Sequence, residues 1–191
     1  MTETVHTLMH SDQELFLWLN GMHTPWLDSI MYWITYKYTW IPMYLVLMAM
    51  SLRDDRKKGI MEILTVLIAV LIADKITSGL MKPYFIRFRP CHDPGIQGLV
   101  HTVSGCGGLY GFASSHASTS FAVAITWFCL LKNRVPYIGL IFAWSALYSY
   151  SRVYVGVHYP ADIVIGALIG ILVGWLCVQL YYSFLKRYYL N

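Results

Sequence analysis

Charged residues are scarce in this sequence. Asp, Glu, Lys and Arg make up 13% of its 191 residues, while hydrophobic residues make up 57%. A soluble domain usually contains about 25% charged residues, so this shortage excludes a soluble globular domain and predicts an integral membrane protein. The formal net charge is +4, but the basic residues lie at the ends of apolar segments and in short polar clusters. Because they form no continuous basic face, nucleic acid is excluded as a partner.

Several other signals are missing. Residues 1–14 contain no Lys or Arg, so the positively charged start of a cleavable signal peptide is absent. No repeat, linker or low-complexity segment divides the chain, which predicts a single domain over residues 1–191. The four cysteines do not have the spacing of a zinc site.

Long apolar segments make up most of the chain. A helix that crosses the hydrocarbon core needs about 20 mostly apolar residues. The segments that approach or reach this length are residues 26–52, 60–81, 117–131, 136–150 and 160–184. Residues 12–23 are too short to cross and predict an N-terminal amphipathic helix at the membrane interface, packed on the bundle. The expected fold is an all-α membrane bundle of five transmembrane helices and one interfacial helix, six helices in all.

The loops give the orientation. Basic residues in the loops at 53–58, 132–134 and 186–187 all fall on one side if there are five spans. The positive-inside rule assigns that side, and with it the C-terminus, to the cytoplasm.

The other polar residues gather in three short stretches, which we call the first, second and third polar segments: residues 82–90, 114–116 and 151–162. They hold cations, two histidines, serines and one carboxylate, an inventory suited to binding and attacking a phosphate group. Five spans place all three on the face opposite the basic loops. Basic residues kept where insertion disfavours them indicate function.

The first polar segment offers two kinds of cation. Lys82 carries a point charge, whereas Arg89 has a planar fork that binds two phosphate oxygens at once. The alternative is a cluster of long basic side chains that reach from the end of a span to the interface. This segment alone does not separate the two interpretations.

The second polar segment opens an apolar helix. Ser114 has the position of an N-cap, and the free N–H groups of the first helical turn form an anion site. His116 lies in that turn and is either a packed core residue or a proton donor; alone, it favours packing. The nearby Gly111 allows the backbone to approach a ligand closely.

The third polar segment pairs a histidine with a carboxylate. Pro160 suits the first position of the last span, which puts His158 just outside the helix and Asp162 in its first turn. A carboxylate there bonds one ring nitrogen of His158 and leaves the other free to attack. For a lone His-x-x-x-Asp the preferred alternative is that Asp162 only complements the helix dipole.

The three segments together read Lys-x6-Arg-Pro, Ser-x-His and Ser-Arg-x5-His-x3-Asp, in this order. This pattern resembles the type 2 phosphatidic acid phosphatase (PAP2) family, which shares its active-site pattern with vanadium-dependent haloperoxidases. The resemblance covers roughly residues 60–175. Ala113 and Ser115 stand where the family has Pro and Gly, a departure that bears on loop shape and substrate preference and not on the chemistry.

The resemblance implies a metal-independent lipid phosphate phosphatase that needs no cofactor. Lys82, Arg89 and Arg152 would hold the phosphate, and Ser114 and Ser115 with their neighbouring N–H groups would complete the site. The fixed cations would supply the charge stabilisation that a metal ion gives in other enzymes.

The resemblance also implies the catalytic residues. His158 would attack phosphorus to give a phosphohistidine, Asp162 would orient it, and His116 would protonate the leaving group. The expected location is a bacterial inner membrane, with the site facing the periplasm. Undecaprenyl pyrophosphate is the first expectation for the substrate; phosphatidylglycerol phosphate, phosphatidic acid and lipid A phosphates remain open.

Two rival functions are weighed against this one. A small transporter predicts polar residues spread along the spans, whereas here they gather at one end. A vanadate-binding haloperoxidase is disfavoured by the membrane setting.

Two residue pairs carry further expectations. Cys91 and Cys106 lie in the exported loop, where an oxidising compartment permits a disulfide, and we predict that they form one. Lys37 and Asp74 lie at similar depth, which gives the hypothesis that they form an ion pair, or a small network with Lys75, because unpaired charge in a membrane is costly. The alternative is that both reach outward to the interface.

The last span contains a glycine pattern that indicates helix packing. Gly166, Gly170 and Gly174 recur at four-residue intervals, a pattern that allows close helix approach. Packing within the bundle is expected ahead of a homo-oligomer contact. Pro42 predicts a kink in the first span.

Overall fold

The computed structural model describes residues 3–189, with side chains described as far as Arg187, and this part of the chain contains helices and loops but no β-strand. Its α-helices are α1 (Glu3–Gly21), α2 (Pro25–Thr35), α3 (Ile41–Leu52), α4 (Arg56–Asp74), α5 (Lys82–Phe85), α6 (Ser115–Leu131), α7 (Leu140–Tyr154) and α8 (Pro160–Tyr189). The prediction of an all-α fold is confirmed. The predicted count of six helices is wrong, since short helices appear and one predicted span is divided.

The divided span is residues 26–52. Helix α2 ends at Thr35, Tyr36 is extended with φ −77° and ψ 114°, and a 3₁₀ turn over Lys37–Trp40 leads into α3. Pro42 therefore lies in the first turn of α3, where its missing N–H breaks no intrahelical bond. The predicted kink is instead a complete break between two helices.

Helix length separates α8 from the rest. Among the described residues, the segment Pro160–Arg187 is the one helix long and apolar enough to cross a membrane by itself, and α6 is an apolar helix of shorter length. The five-span arrangement therefore stays a prediction. Helix α1 begins nine residues before the predicted start at residue 12; it packs on the bundle through the buried side chains of Phe16 and Asn20.

Helix α6 forms the centre of the bundle, where it contacts α4, α7 and α8. The glycine stripe of α8 faces it: a Cβ atom at Gly166 would collide with the Ser114 carbonyl, and one at Gly170 with the Ser118 carbonyl. Glycine is needed here because the two backbones are in contact. The expectation that this stripe packs within the bundle is confirmed.

A buried ion pair closes the end of the bundle opposite the polar segments. Glu62 is fully buried; its carboxylate accepts from Arg134 Nη2 at 2.5 Å and from Ser51 Oγ at 2.8 Å. Arg134 Nη1 also lies 3.7 Å from Asp54 Oδ2. The basic loops at 53–58 and 132–134 thus lie at one end of the molecule, as the sequence predicts.

Helix α4 does not stop at its last α-helical residue. It continues through a π-helical stretch, Lys75–Met81, directly into α5. The buried Thr77 lies within this stretch, and its Oγ1 is 3.1 Å from Ser118 Oγ on α6. The stretch carries the chain to the first polar segment at Lys82.

Candidate active site

A turn between α7 and α8 presents His158. Gly156 has φ +82°, a backbone conformation that suits glycine, and α8 begins two residues after His158. The ring atom Nδ1 lies 3.2 Å from Asp162 Oδ2, which also accepts from the Tyr159 N–H at 3.1 Å. His158 is 1% exposed and Asp162 is fully buried. In the tautomer whose Nδ1–H donates to this carboxylate, Nε2 keeps a free lone pair.

Arg87 bonds the other oxygen of the Asp162 carboxylate. Its Nη1 donates to Asp162 Oδ1 at 3.0 Å, and its Nη2 donates to Asp12 Oδ2 at 2.7 Å. Asp12 Oδ1 in turn accepts from the Ala161 N–H at 2.9 Å. Helix α1 is thereby tied to the start of α8. Sequence reasoning assigned no site role to Arg87 or Asp12; a second arginine in the first polar segment was the available signal.

Three cations surround the histidine. Lys82 Nζ donates to Ser115 Oγ at 3.0 Å, Arg89 Nη1 to the Val157 carbonyl at 3.5 Å, and Arg152 Nη1 to Thr35 Oγ1 at 2.5 Å. The Nε atoms of Arg89 and Arg152 are buried and have no hydrogen-bond partner among the described residues. A buried donor without an acceptor is costly. Two such guanidinium donors indicate a place for an anion.

The electrostatics favour a neutral imidazole at His158. Burial, reinforced by Arg89, Arg152 and Lys82, holds the pKa of His158 well below its usual value, so the imidazole is unprotonated at neutral pH. Burial and the neighbouring Arg89 also lower the pKa of Lys82 to about 8. Both shifts have the same origin, since cations crowd a space with little solvent.

A profile of the PAP2 superfamily matches residues 63–186. The chain belongs to the PAP2 superfamily. The lipid A 4'-phosphatase of Porphyromonas gingivalis is 36% identical over 176 residues, which cover 91% of this chain and 74% of that protein. The undecaprenyl-diphosphatase of Bacillus subtilis is 30% identical over 169 residues, 85% of this chain and 80% of that protein.

A solved structure has the same fold. The crystal structure of the PAP2-type phosphatidylglycerolphosphate phosphatase from Bacillus subtilis superimposes with a TM-score of 0.71 at 20% identity, over 98% of this chain and 90% of the other. This likeness shows the fold, and the profile match and the sequence relatives establish the protein as a membrane lipid phosphatase of the PAP2 superfamily.

The second polar segment lies where α6 begins. Ser114 is fully buried, and its Oγ caps the helix by accepting from the Ala117 N–H at 3.5 Å. Its own N–H donates to the Asp162 carbonyl at 2.9 Å. The first turn of α6 thus lies against the first turn of α8, and Ser114 both caps α6 and bonds the start of α8.

Ser115 belongs to a chain of polar contacts. Its Oγ accepts from Lys82 and lies 2.7 Å from Ser78 Oγ, which donates to Asp74 Oδ1 at 2.9 Å. The hypothesised ion pair between Asp74 and Lys37 is not formed within the described part of the chain: Asp74 bonds Ser78, and Lys37 Nζ lies 5.0 Å from the centre of the Tyr38 ring.

His116 faces a cleft. Its ring centroid is 5.5 Å from that of Tyr148, and both line a cavity of about 700 Å³ whose walls come mainly from apolar residues of α3, α4 and α6. Ser115, Lys37 and Asp74 also line it. The second polar segment therefore lies between the cluster around His158 and an apolar space between helices.

The loop before α6 is shaped by Gly111 and by a disulfide. A Cβ atom on Gly111 would lie 3.0 Å from Asp162 Oδ2 and 3.3 Å from Arg89 Cγ, so a side chain there would press on both of these residues. Cys91 and Cys106 form a disulfide, with their Cα atoms 6.1 Å apart. The bond closes the stretch of loop between the first and second polar segments.

Proposed function

We propose that this PAP2 enzyme hydrolyses a phosphate ester of a membrane glycolipid through a phosphohistidine on His158, with lipid A 4'-phosphate as the leading substrate. The observation that carries the proposal is the pairing of a buried His158–Asp162 couple with two arginine Nε donors that lack an acceptor among the described residues. A phosphate held by those donors would lie against the free ring nitrogen.

The reaction has two steps. Nε2 of His158 attacks phosphorus, an N–P bond forms, and the bond from phosphorus to the ester oxygen breaks. His116 gives its proton to the departing oxygen. Water then attacks the phosphohistidine, His116 takes a proton from that water, and inorganic phosphate leaves with His158 restored.

Charge stabilisation comes from the protein. Lys82, Arg89 and Arg152 bind the phosphoryl oxygens, and the first-turn N–H groups of α6 at Ser115 and His116 add a helix N-terminus. These donors are fixed before the substrate arrives, which is the condition under which electrostatic stabilisation lowers a barrier most.

The substrate assignment rests on relatives and on the cleft. The lipid A 4'-phosphatase of P. gingivalis is the more similar of the two sequence relatives, and the cleft beside His116 offers apolar walls for a lipid chain. Undecaprenyl pyrophosphate, the expectation from the sequence, is the second candidate because of the B. subtilis undecaprenyl-diphosphatase.

A substrate panel tests both points. Release of inorganic phosphate is measured with lipid A, undecaprenyl pyrophosphate, phosphatidylglycerol phosphate and phosphatidic acid, with wild type and with His158→Ala. The highest kcat/KM is expected for lipid A, with loss of 4'-phosphate and not of 1-phosphate by mass spectrometry. Full activity of His158→Ala contradicts the nucleophile assignment, whereas a different preferred lipid contradicts only the substrate.

We also infer five crossings of a bacterial inner membrane, with the active site at the periplasmic face and the C-terminus in the cytoplasm. In this arrangement α2 and α3 together make the first crossing, while α4, α6, α7 and α8 make the others. Gly98→Cys should react with an impermeant maleimide in intact spheroplasts, and Lys57→Cys only after lysis. The reverse labelling pattern would mean that the topology is inverted.

A further inference from the structure

We propose that His23, Asp28 and His101 form a zinc-binding site beside, and separate from, the phosphatase centre. One donor atom from each residue lies within 4.8 Å of the other two. His101 Nε2 is 3.0 Å from Asp28 Oδ1 and 3.1 Å from Oδ2. The rings of His23 and His101 stack, with centroids 3.6 Å apart and planes inclined by 6°. None of the three takes part in the proposed phosphatase chemistry.

Two buried residues position the donors from behind. The Tyr154 hydroxyl donates to Asp28 Oδ1 at 2.7 Å. Asn20 holds the His101 backbone on both sides, since its Oδ1 accepts from the N–H at 2.8 Å and its Nδ2 donates to the carbonyl at 2.9 Å. Tyr154 and Asn20 are each 1% exposed. Metal sites characteristically fix their ligands through such outer contacts.

The chemistry of the three donor groups favours zinc over magnesium and calcium. Two imidazoles and one carboxylate suit Zn²⁺, which takes His nitrogen at about 2.0–2.1 Å and leaves a fourth position to water when the protein supplies three ligands. Mg²⁺ and Ca²⁺ prefer oxygen ligands throughout. The ligands include no cysteine, so the absence of a zinc spacing among the cysteines does not bear on this site.

Binding requires a specific rearrangement. A ligated metal lies in the plane of each imidazole, whereas the two rings now stack face to face. His23 is exposed, so its ring has space to turn out of the stack toward the carboxylate. The zinc-bound form should therefore lack the His23–His101 stack.

The site joins separate parts of the chain near His158. His23 lies between α1 and α2, Asp28 lies in α2, and His101 lies in the long loop before α6. A Cβ atom on Gly156 would collide with the His101 carbonyl, so this loop packs against the turn that presents His158. Zinc would fasten the outer loop to that turn and stabilise the fold without entering the reaction.

The test uses full-length protein with a histidine-free purification tag, stripped with EDTA and dialysed. Zinc content after equilibration is measured by mass spectrometry, and the thermal midpoint by a melting assay. We expect one zinc per chain and a rise in Tm of about 5 °C at a large excess over Kd. Mg²⁺ should give neither effect.

Variants locate the site. His23→Ala should lose the bound zinc and the zinc-dependent rise in Tm, while His6→Ala and His10→Ala on α1 keep both. Tyr154→Phe should weaken zinc binding about 10- to 100-fold. Co²⁺ in wild type should give the visible spectrum of a four-coordinate site. Retained phosphatase activity of His23→Ala at 25 °C shows that this variant is folded. No bound zinc in wild type, or equal zinc in His23→Ala, overturns the proposal.

Discussion

Arg87 Nη1 donates to Asp162 Oδ1 at 3.0 Å, on the side of the carboxylate opposite the Tyr159 N–H and His158. The carboxylate that contacts His158 is thus itself held by a cation from another segment. Asp12 on α1 completes the arrangement by bonding both Arg87 and the start of α8. The N-terminal helix is in this way part of the support of the site.

Replacement of Arg87 by Met should reduce kcat/KM about 100-fold, because small misplacement of a reacting group is costly. The fall should appear mainly in kcat, since Arg87 acts through Asp162 and does not hold the phosphate. Asp12→Asn should show a smaller fall in the same direction. Arg53→Met, which removes an exposed arginine at the other end of the bundle, is the matched control. A loss confined to KM in Arg87→Met would place this arginine on the substrate instead.

The effect of His116→Ala on activity should depend on the leaving group of the substrate. With a lipid phosphate, loss of the proton donor should lower kcat/KM about 10²- to 10⁴-fold. p-Nitrophenyl phosphate has a leaving group that departs without a proton, so its burst of nitrophenolate should persist, followed by slow turnover as the phosphohistidine accumulates. The acid-labile phosphoenzyme is measured directly. Equal losses with both substrates would contradict the role of His116 as general acid.

The fall of activity at alkaline pH should result from deprotonation of Lys82. In the proposed mechanism its ammonium form binds phosphate, and its pKa is lowered to about 8 by burial and Arg89. The charge is therefore present below this pH and lost above it, so kcat/KM should fall as pH rises through about 8. Lys82→Arg keeps the charge and should move the fall to higher pH, while Lys57→Arg leaves the profile unchanged. An unshifted profile in Lys82→Arg would assign the fall to another group.

The Cys91–Cys106 disulfide should stabilise the outer loop. Its two cysteines are 15 positions apart in the sequence, and closing a loop of that size contributes about 3 kcal/mol to the free energy of unfolding. Reductant should lower the thermal midpoint of wild type to that of the Cys91→Ser/Cys106→Ser double variant, and should leave the double variant unchanged. Alkylation in denaturant should label two thiols before reduction and four after it. Four labelled thiols before reduction would show that the bond is absent.

The glycine stripe of α8 should tolerate no methyl group at its centre. Gly170→Ala places a Cβ atom against the α6 backbone at Ser118 and Ala122, so the helices must separate at a cost of about 1–3 kcal/mol. Gly98→Ala, whose Cβ would meet nothing within 4 Å, is the control. The two variants are compared by thermal melting in one detergent. An unchanged midpoint in Gly170→Ala would mean that the contact between α6 and α8 is looser than this packing.

Much of the candidate site was accessible from the sequence because polar residues are confined to a few places in an apolar chain. Local rules then located two of them: Ser114 caps α6, and Pro160 begins α8, both as predicted. The His158–Asp162 contact follows from that helix start. Its chemical roles came from the combined pattern of the three polar segments, since each segment alone had an ordinary alternative.

Other features depend on tertiary contacts that leave no local signal. Asp12 is the first residue of the predicted interfacial helix, and only the packing of α1 against α8 brings it to Arg87. The break at Tyr36 was hidden because residues 26–52 are mostly apolar and Pro42 suits both a kink and a helix start. The hypothesised partner of Asp74 was wrong because depth along a helix does not fix the direction in which a side chain points.

The π-helical stretch Lys75–Met81 sets the rotational position of everything after it. A π-turn holds one more residue than an α-turn, and each residue of a helix advances the side-chain direction by about 100°. Deleting Gly79, which has open space around it, would let the stretch relax to a regular helix. Lys82 would then still point toward Ser115, because a π-turn takes up one additional residue without turning the helix that follows it. A regular α-helix of the full length would instead turn Lys82 by about 100°, so the π-helical stretch keeps the first polar segment aligned with the anion site while the hydrophobic face of α4 stays in place.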